Sequence, residues 1–196
     1  MEQQNISAPR RKTQLNLVVG INGTGKTTFL RQNVVERRPK VLVITPDECE
    51  WRQLPVVEQP RDIFYLNGAA RMIYRDENTI QTAIRYYSGG ALILDDAMAY
   101  LGFQTPDTMR YLYIRRRQRG VDVYLVAHGL RQVPPQAFTF GSYLVLFATT
   151  ENFTSRRKEL DPEIYNRIIE AQSQMNTEAR RGNPYGYKII KLDPTL

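Results

Sequence analysis

The residues with most chemistry to offer form one run: Gly20, Ile21, Asn22, Gly23, Thr24, Gly25, Lys26 and Thr27, followed by Thr28. Glycines at 20, 23 and 25 let the backbone turn tightly and aim its N–H groups at one point. The run fits G-x-x-x-x-G-K-[ST], the P-loop or Walker A signature. Lys26 then reaches the β- and γ-phosphates of a nucleoside triphosphate, and Thr27 can ligate Mg²⁺. Asn22, Thr24 and Thr28 complete the wrap, and a helix N-terminus behind them adds a favourable dipole. The plainer alternative is a Gly-rich turn that happens to contain Lys-Thr. Four specified positions with the right flanks speak against it.

A second set is the pair Asp95-Asp96, which closes the apolar run Ala91-Leu92-Ile93-Leu94. An apolar strand running into an acid is the Walker B pattern. Alone it would often be just a strand end, but a P-loop upstream makes the functional reading the stronger one. Asp95 would hold Mg²⁺ opposite Thr27, and Asp96 would orient or deprotonate the attacking water. The sole histidine, His128, ends the run Val121–Ala127 and could sense the γ-phosphate from there. Four arginines crowd into Arg115-Arg116-Arg117-Gln118-Arg119, more than a helix end needs to satisfy its dipole, so contact with phosphate or nucleic acid is expected.

The elements that must position these groups can be read from the same chain. Leu15–Val19 predicts a buried parallel strand leading into the loop, and Thr27 to Arg37 the helix leaving it. Lys40–Ile44 predicts a second strand, stopped by Thr45-Pro46. Residues 47–62 are polar and Pro-punctuated and predict loop, with Trp51 as a packing anchor rather than a contact for a partner. Ile63-Phe64-Tyr65-Leu66 predicts a short strand and Asn78 to Tyr87 a helix. Pro106 to Arg119 predicts a helix capped by Thr105, with Met109, Leu112 and Tyr113 inward. Beyond His128 come a helical turn from Pro134-Pro135 and a strand from Tyr143 to Ala148. A helix from Pro162 to about Arg180 and a last strand, Tyr185–Ile190, complete the chain. The alternation predicts an α/β fold with a mostly parallel sheet covered on both faces.

Composition bounds the rest. At 196 residues the chain fits one domain, residues 13–196, behind a basic tail at 1–12 that ends in Arg10-Arg11-Lys12. Lys and Arg number 27 against 20 Asp and Glu, a formal charge of +7, which suits a polyanionic partner. One cysteine, Cys49, excludes an intrachain disulfide framework and a Cys-based zinc site. No apolar run approaches the ~18 residues that span a bilayer.

Taken in order, these motifs resemble the FtsK/HerA-type P-loop ATPases, in particular their small viral DNA-packaging and zonular-occludens-toxin-like branches. The carrying residues are Gly20–Thr27, Leu92–Asp96, Arg117-Gln118-Arg119-Gly120-Val121-Asp122-Val123, His128, Pro134-Pro135 and Tyr143–Phe147. The resemblance implies an ASCE/RecA-like fold and hydrolysis of ATP with Mg²⁺. It also implies a homo-oligomeric ring that moves double-stranded DNA, with a capsid vertex or portal as a further partner and no membrane. The setting would be host cytoplasm or virion. Asp95 would take the metal role and Asp96 that of the catalytic acid. His128 would stand at the sensor position, and one of Arg116, Arg117 and Arg119 would be the finger offered to a neighbour, Arg117 by its spacing to Gly120. Departures from the family pattern keep Glu48 open as an alternative acid, because the family acid is often Glu, and the sensor is often Gln rather than His. Two other classes fit the motif: a small-molecule or nucleotide kinase, and a nucleotide-switched binding protein with little hydrolysis.

Overall fold

Unbroken apolar runs make strands that are buried on both faces, and such strands build the centre of this chain. The structure is a computed structural model and describes residues 12–97 and 107–193. Its strands are β1 (Leu15–Val19), β2 (Lys40–Thr45), β3 (Gly68–Ile73), β4 (Ala91–Leu94), β5 (Asp122–Ala127), β6 (Tyr143–Leu146) and β7 (Lys188–Lys191). They form one sheet in the order β3-β2-β4-β5-β1-β6-β7. Each pairing is parallel except that of β7, which runs antiparallel to β6.

This order decides where the chemistry goes. β5 lies between β1, which leads into the phosphate loop, and β4, which leads into the two aspartates. Leu94 of β4 is level with Leu125 of β5, and Val19 of β1 with Ala127. The loop, the acids and His128 therefore all leave the sheet at its carboxyl edge, where open α/β sheets bind ligands.

Alternation along the strands divides the core in two. Leu15, Leu17 and Val19 of β1 face the larger cluster, with Leu92, Leu94, Val123 and Leu125. That face is covered by α2 (Pro60–Phe64), α3 (Glu77–Tyr86), α4 (Asp107–Arg119), α5 (Pro135–Phe140) and α6 (Pro162–Arg180), through residues such as Ile63, Ile80, Tyr113, Phe138 and Ile168. The opposite face gathers Val18, Val41, Val43, Ile93 and Val126 under Leu30, Val34 and Trp51. Helix α1 (Lys26–Leu30) covers it and passes into a π-helical turn, Arg31–Val35. Both faces are covered, as the alternation predicts, but unequally.

Boundaries differ from the sequence expectation at several places, β6 among them, which stops at Leu146 rather than Ala148. Ile63 and Phe64 belong to α2, not to a strand, and the strand follows at Gly68–Ile73. Pro60 at the first helical position and Asp62 in the first turn favour a helix start there, and Ile63 reaches the core from it. The helix after the loop is not α-helical throughout: Glu36 N–H bonds back five residues to the Arg31 carbonyl at 3.0 Å. The last strand is shorter than expected, Lys188–Lys191, so Tyr185 and Tyr187 precede it. Helices α3 and α6 begin where Asp76 and Asp161 accept backbone N–H groups of their first turns. The predicted cap Thr105, Pro106, the Met109 side chain and the tail at 1–11 lie outside what is described.

Candidate functional site

The phosphate loop is fastened to both neighbours of its strand. Gly20 N–H donates to the Ala127 carbonyl on β5 and Ile21 N–H to the Ala148 carbonyl beyond β6, at 3.2 and 3.0 Å. A side chain on Gly20 would begin 2.5 Å from Phe147 Cβ, so the position has no room for one. Gly23 and Gly25 take φ of 79° and 90°, the left-handed region that glycine enters without penalty. Thr24 ties the loop from inside, its hydroxyl donating to the Ile21 carbonyl at 2.8 Å. Lys26 curls over the loop, its ammonium donating to the carbonyls of Gly20 and Ile21 at 2.6 and 3.1 Å. Burial pulls its pKa below the usual lysine value, while Asp95, then Glu50 and Asp96, oppose that shift.

Opposite the loop stand the acids. Asp95 is buried, and its backbone N–H bonds to the Ile44 carbonyl of β2. Its Oδ2 accepts the indole N–H of Trp51 at 2.6 Å. Asp96 turns outward through a left-handed backbone, φ 49°, and brings Oδ1 to 3.6 Å from His128 Nε2. The other ring nitrogen of His128, Nδ1, is 3.5 Å from Lys26 Nζ. An ammonium has only protons to offer. The arrangement therefore suits the neutral tautomer whose Nε2–H faces Asp96. His128 bridges the lysine and the acid across a cleft of about 510 Å³.

That cleft is lined by Asn22, Gly23, Gly25, Lys26, Thr27 and Thr28 on one side and by Thr45, Asp47, Glu50, Asp95 and Asp96 on the other. Tyr185, 66% exposed, flanks the loop, its ring 3.4 Å from the point where a Gly25 side chain would start. The oxygen donors fit a hard divalent ion. Mg²⁺ takes one or two protein oxygens and keeps the rest for water and phosphate, which the Thr27 hydroxyl and the Asp95 carboxylate can supply. Among the described residues no group of three or more His, Cys, Asp or Glu side chains forms a metal cage by itself.

The expected residues of the loop, the two aspartates and His128 thus meet in one cleft. Glu48 does not line it; the acid two positions on, Glu50, does. The bond it shares with Asp95 comes first in raising the Glu50 carboxyl to about 7. Burial and the charges of Asp95 and Asp47 follow, against the opposing pull of Lys26. Nothing in the local pattern distinguishes Glu48 from Glu50. Tyr185 also escaped expectation as a cleft residue, although an aromatic between Pro184 and Gly186 is a signal that could have been followed, and so did the bond from buried Trp51 to Asp95.

The arginines of α4 sit elsewhere. Gly89 N–H bonds to the Arg119 carbonyl just before β4 begins, so the cluster lies at the amino edge of the sheet, away from the cleft. Arg116 is buried and donates to the carbonyls of Tyr113 and Phe140, so its guanidinium is turned into the fold. Arg119 donates to the Arg85 carbonyl at 2.9 Å. Arg117 is exposed.

In sequence, the chain matches no protein family and no curated protein. In structure, it is similar to the genome packaging NTPase B204 from Sulfolobus turreted icosahedral virus 2 in complex with AMP. There the TM-score is 0.72 at 12% identity, over 92% of this chain and 93% of that one. B204, the DNA-packaging ATPase from Sulfolobus turreted icosahedral virus, aligns at a TM-score of 0.64 and 11% identity, covering 93% and 94%. ATPases 2 and 3 of EssC from Geobacillus thermodenitrificans align at 0.53 and 13% identity, over 73% of this chain and 33% of theirs. Identities this low speak for the fold, and the fold agrees with the resemblance drawn from the motifs. The chain has the architecture of a P-loop NTPase, shared nearly end to end with NTPases that package viral genomes.

Proposed function

We propose that the chain is an ATP-hydrolysing motor that translocates double-stranded DNA, working as an oligomeric ring to package a viral genome. One observation carries the catalytic part. A P-loop with a buried lysine faces Asp95, Asp96 and His128 across a single cleft at the carboxyl edge of the sheet. In this reading the loop's backbone N–H groups and Lys26 take the β- and γ-phosphates, and Tyr185 offers an aromatic face to the base. Mg²⁺, held between Thr27 and Asp95, would neutralise charge on the phosphates. Water attacks the γ-phosphorus as the bond to the bridging β–γ oxygen breaks. Asp96 orients that water and takes its proton, and His128 holds Asp96 while reading the γ-phosphate beside Lys26. The formal charge of +7 and the genome- and DNA-packaging roles of the B204 neighbours support DNA as the polymer.

ATP turnover, followed against protein concentration with and without double-stranded DNA, tests the enzyme, the oligomer and the nucleic acid together. Turnover per chain is expected to rise with concentration and with DNA. Lys26→Ala should abolish it, because the point charge on the phosphates is gone. Wild-type turnover in that variant would reject the site, and transfer of phosphate to an added nucleoside would make the protein a kinase instead.

A further inference from the structure

The sole tryptophan of the chain sits in a place that packing alone does not require. Trp51 is 1% exposed and belongs to the cluster beneath α1, yet its backbone is left-handed, φ 58°. For a bulky aromatic residue that conformation is strained and persists only where the surroundings enforce it. The enforcement is visible. Arg71 of β3, itself largely buried, donates through Nη1 to the carbonyls of both Glu48 and Glu50 at 2.7 Å. Its backbone accepts from Val57 and donates to Pro55, both at 2.9 Å, so the loop is fastened on either side of Trp51. What the strained turn delivers is one bond, indole Nε1–H to Asp95 Oδ2 at 2.6 Å.

We propose that Trp51, clamped by Arg71, is the positioning residue for the cation-binding carboxylate: it fixes the rotation of Asp95 so that the cleft is prepared for a nucleotide-bound divalent cation. The inference rests on the function proposed above. An indole N–H suits this task because it can only donate. With no lone pair to offer, it never competes for the cation. Partners of this kind behind a metal ligand typically alter metal affinity 10–100-fold.

The test uses the full chain and a fluorescent ATP analogue, whose anisotropy is followed as Mg²⁺ is added. Trp51→Phe retains the ring and removes the N–H. The Mg²⁺ concentration for half-maximal binding is expected to rise about tenfold or more, while binding of the analogue in EDTA stays within twofold of wild type. An unchanged Mg²⁺ requirement in folded Trp51→Phe would overturn the positioning role and leave the proposed function standing. Wild-type protein that binds no analogue under any condition would remove both. If Trp51→Phe does not fold, the wild-type protein answers directly, because a chain with one tryptophan gives one indole N–H resonance. With the nucleotide present, Mg²⁺ is expected to shift that resonance, and a resonance that stays put overturns the inference.

Discussion

Of the four carboxylates that line the cleft, three are set different tasks by their surroundings. Asp95 is buried and fixed by an indole; Asp96 is half-exposed and held near His128; Glu50 is pushed up to about 7, first by its bond to Asp95. A carboxyl that binds its proton more tightly folded than unfolded stabilises the fold below its unfolded pKa, here 4.5. That contribution fades as pH rises through about 7. In EDTA and without nucleotide, thermal stability should therefore fall between pH 5 and pH 8 by more in wild type than in Glu50→Gln. Parallel profiles for the two proteins would refute the raised Glu50 carboxyl. At this scale the sequence was legible wherever chemistry fixes spacing, as in Gly20–Thr27 and Asp95-Asp96. It was illegible where a long-range clamp sets the register. Choosing Glu50 over Glu48 depends on Arg71, twenty-one residues beyond Glu50, seizing two carbonyls.

At the scale of elements, one buried charge joins three of them. Asp122, fully buried at the start of β5, accepts the N–H of Gln14 at 2.9 Å and pairs with Arg38 at 3.0 Å. It ties the entry to β1 and the segment behind α1 to the strand that ends at His128. Removing one partner of such a pair leaves the other without compensation, so Asp122→Ala should lower the unfolding free energy in urea by about 3 kcal/mol. A loss under about 1 kcal/mol would mean the pair behaves as a surface ion pair. The strand order itself could not be read from apolar runs, since β4 and β5 are both buried along their whole length. The helix at Pro60–Phe64 was missed because Ile63-Phe64-Tyr65-Leu66 is short and apolar, and periodicity cannot separate strand from helix over four residues. The punctuation before it, Pro60 and Asp62, held the better signal.

For the whole molecule, the decisive geometry is the separation of the arginine cluster from the cleft. α4 ends at the amino edge of the sheet while the P-loop leaves the carboxyl edge, so Arg117 cannot serve the cleft of its own chain. Arg116 is spent on carbonyls within the fold, and Arg119 on that of Arg85. If subunits form a ring, exposed Arg117 is the residue to stabilise charge in a neighbour's cleft. Arg117→Ala should then keep nucleotide binding and folding but lose turnover, because a trans arginine contributes about 10³–10⁵-fold in related phosphoryl transfers. A cluster that only grips DNA predicts the reverse: weaker DNA binding with a shallower dependence on salt, with basal turnover spared. Mixing separates the two. Arg117→Ala chains keep an intact P-loop and Lys26→Ala chains keep the arginine, so mixed rings contain some interfaces with both. Turnover should reappear on mixing in proportion to those interfaces. Its absence, where light scattering or crosslinking demonstrates mixed oligomers, would reject Arg117 as the finger.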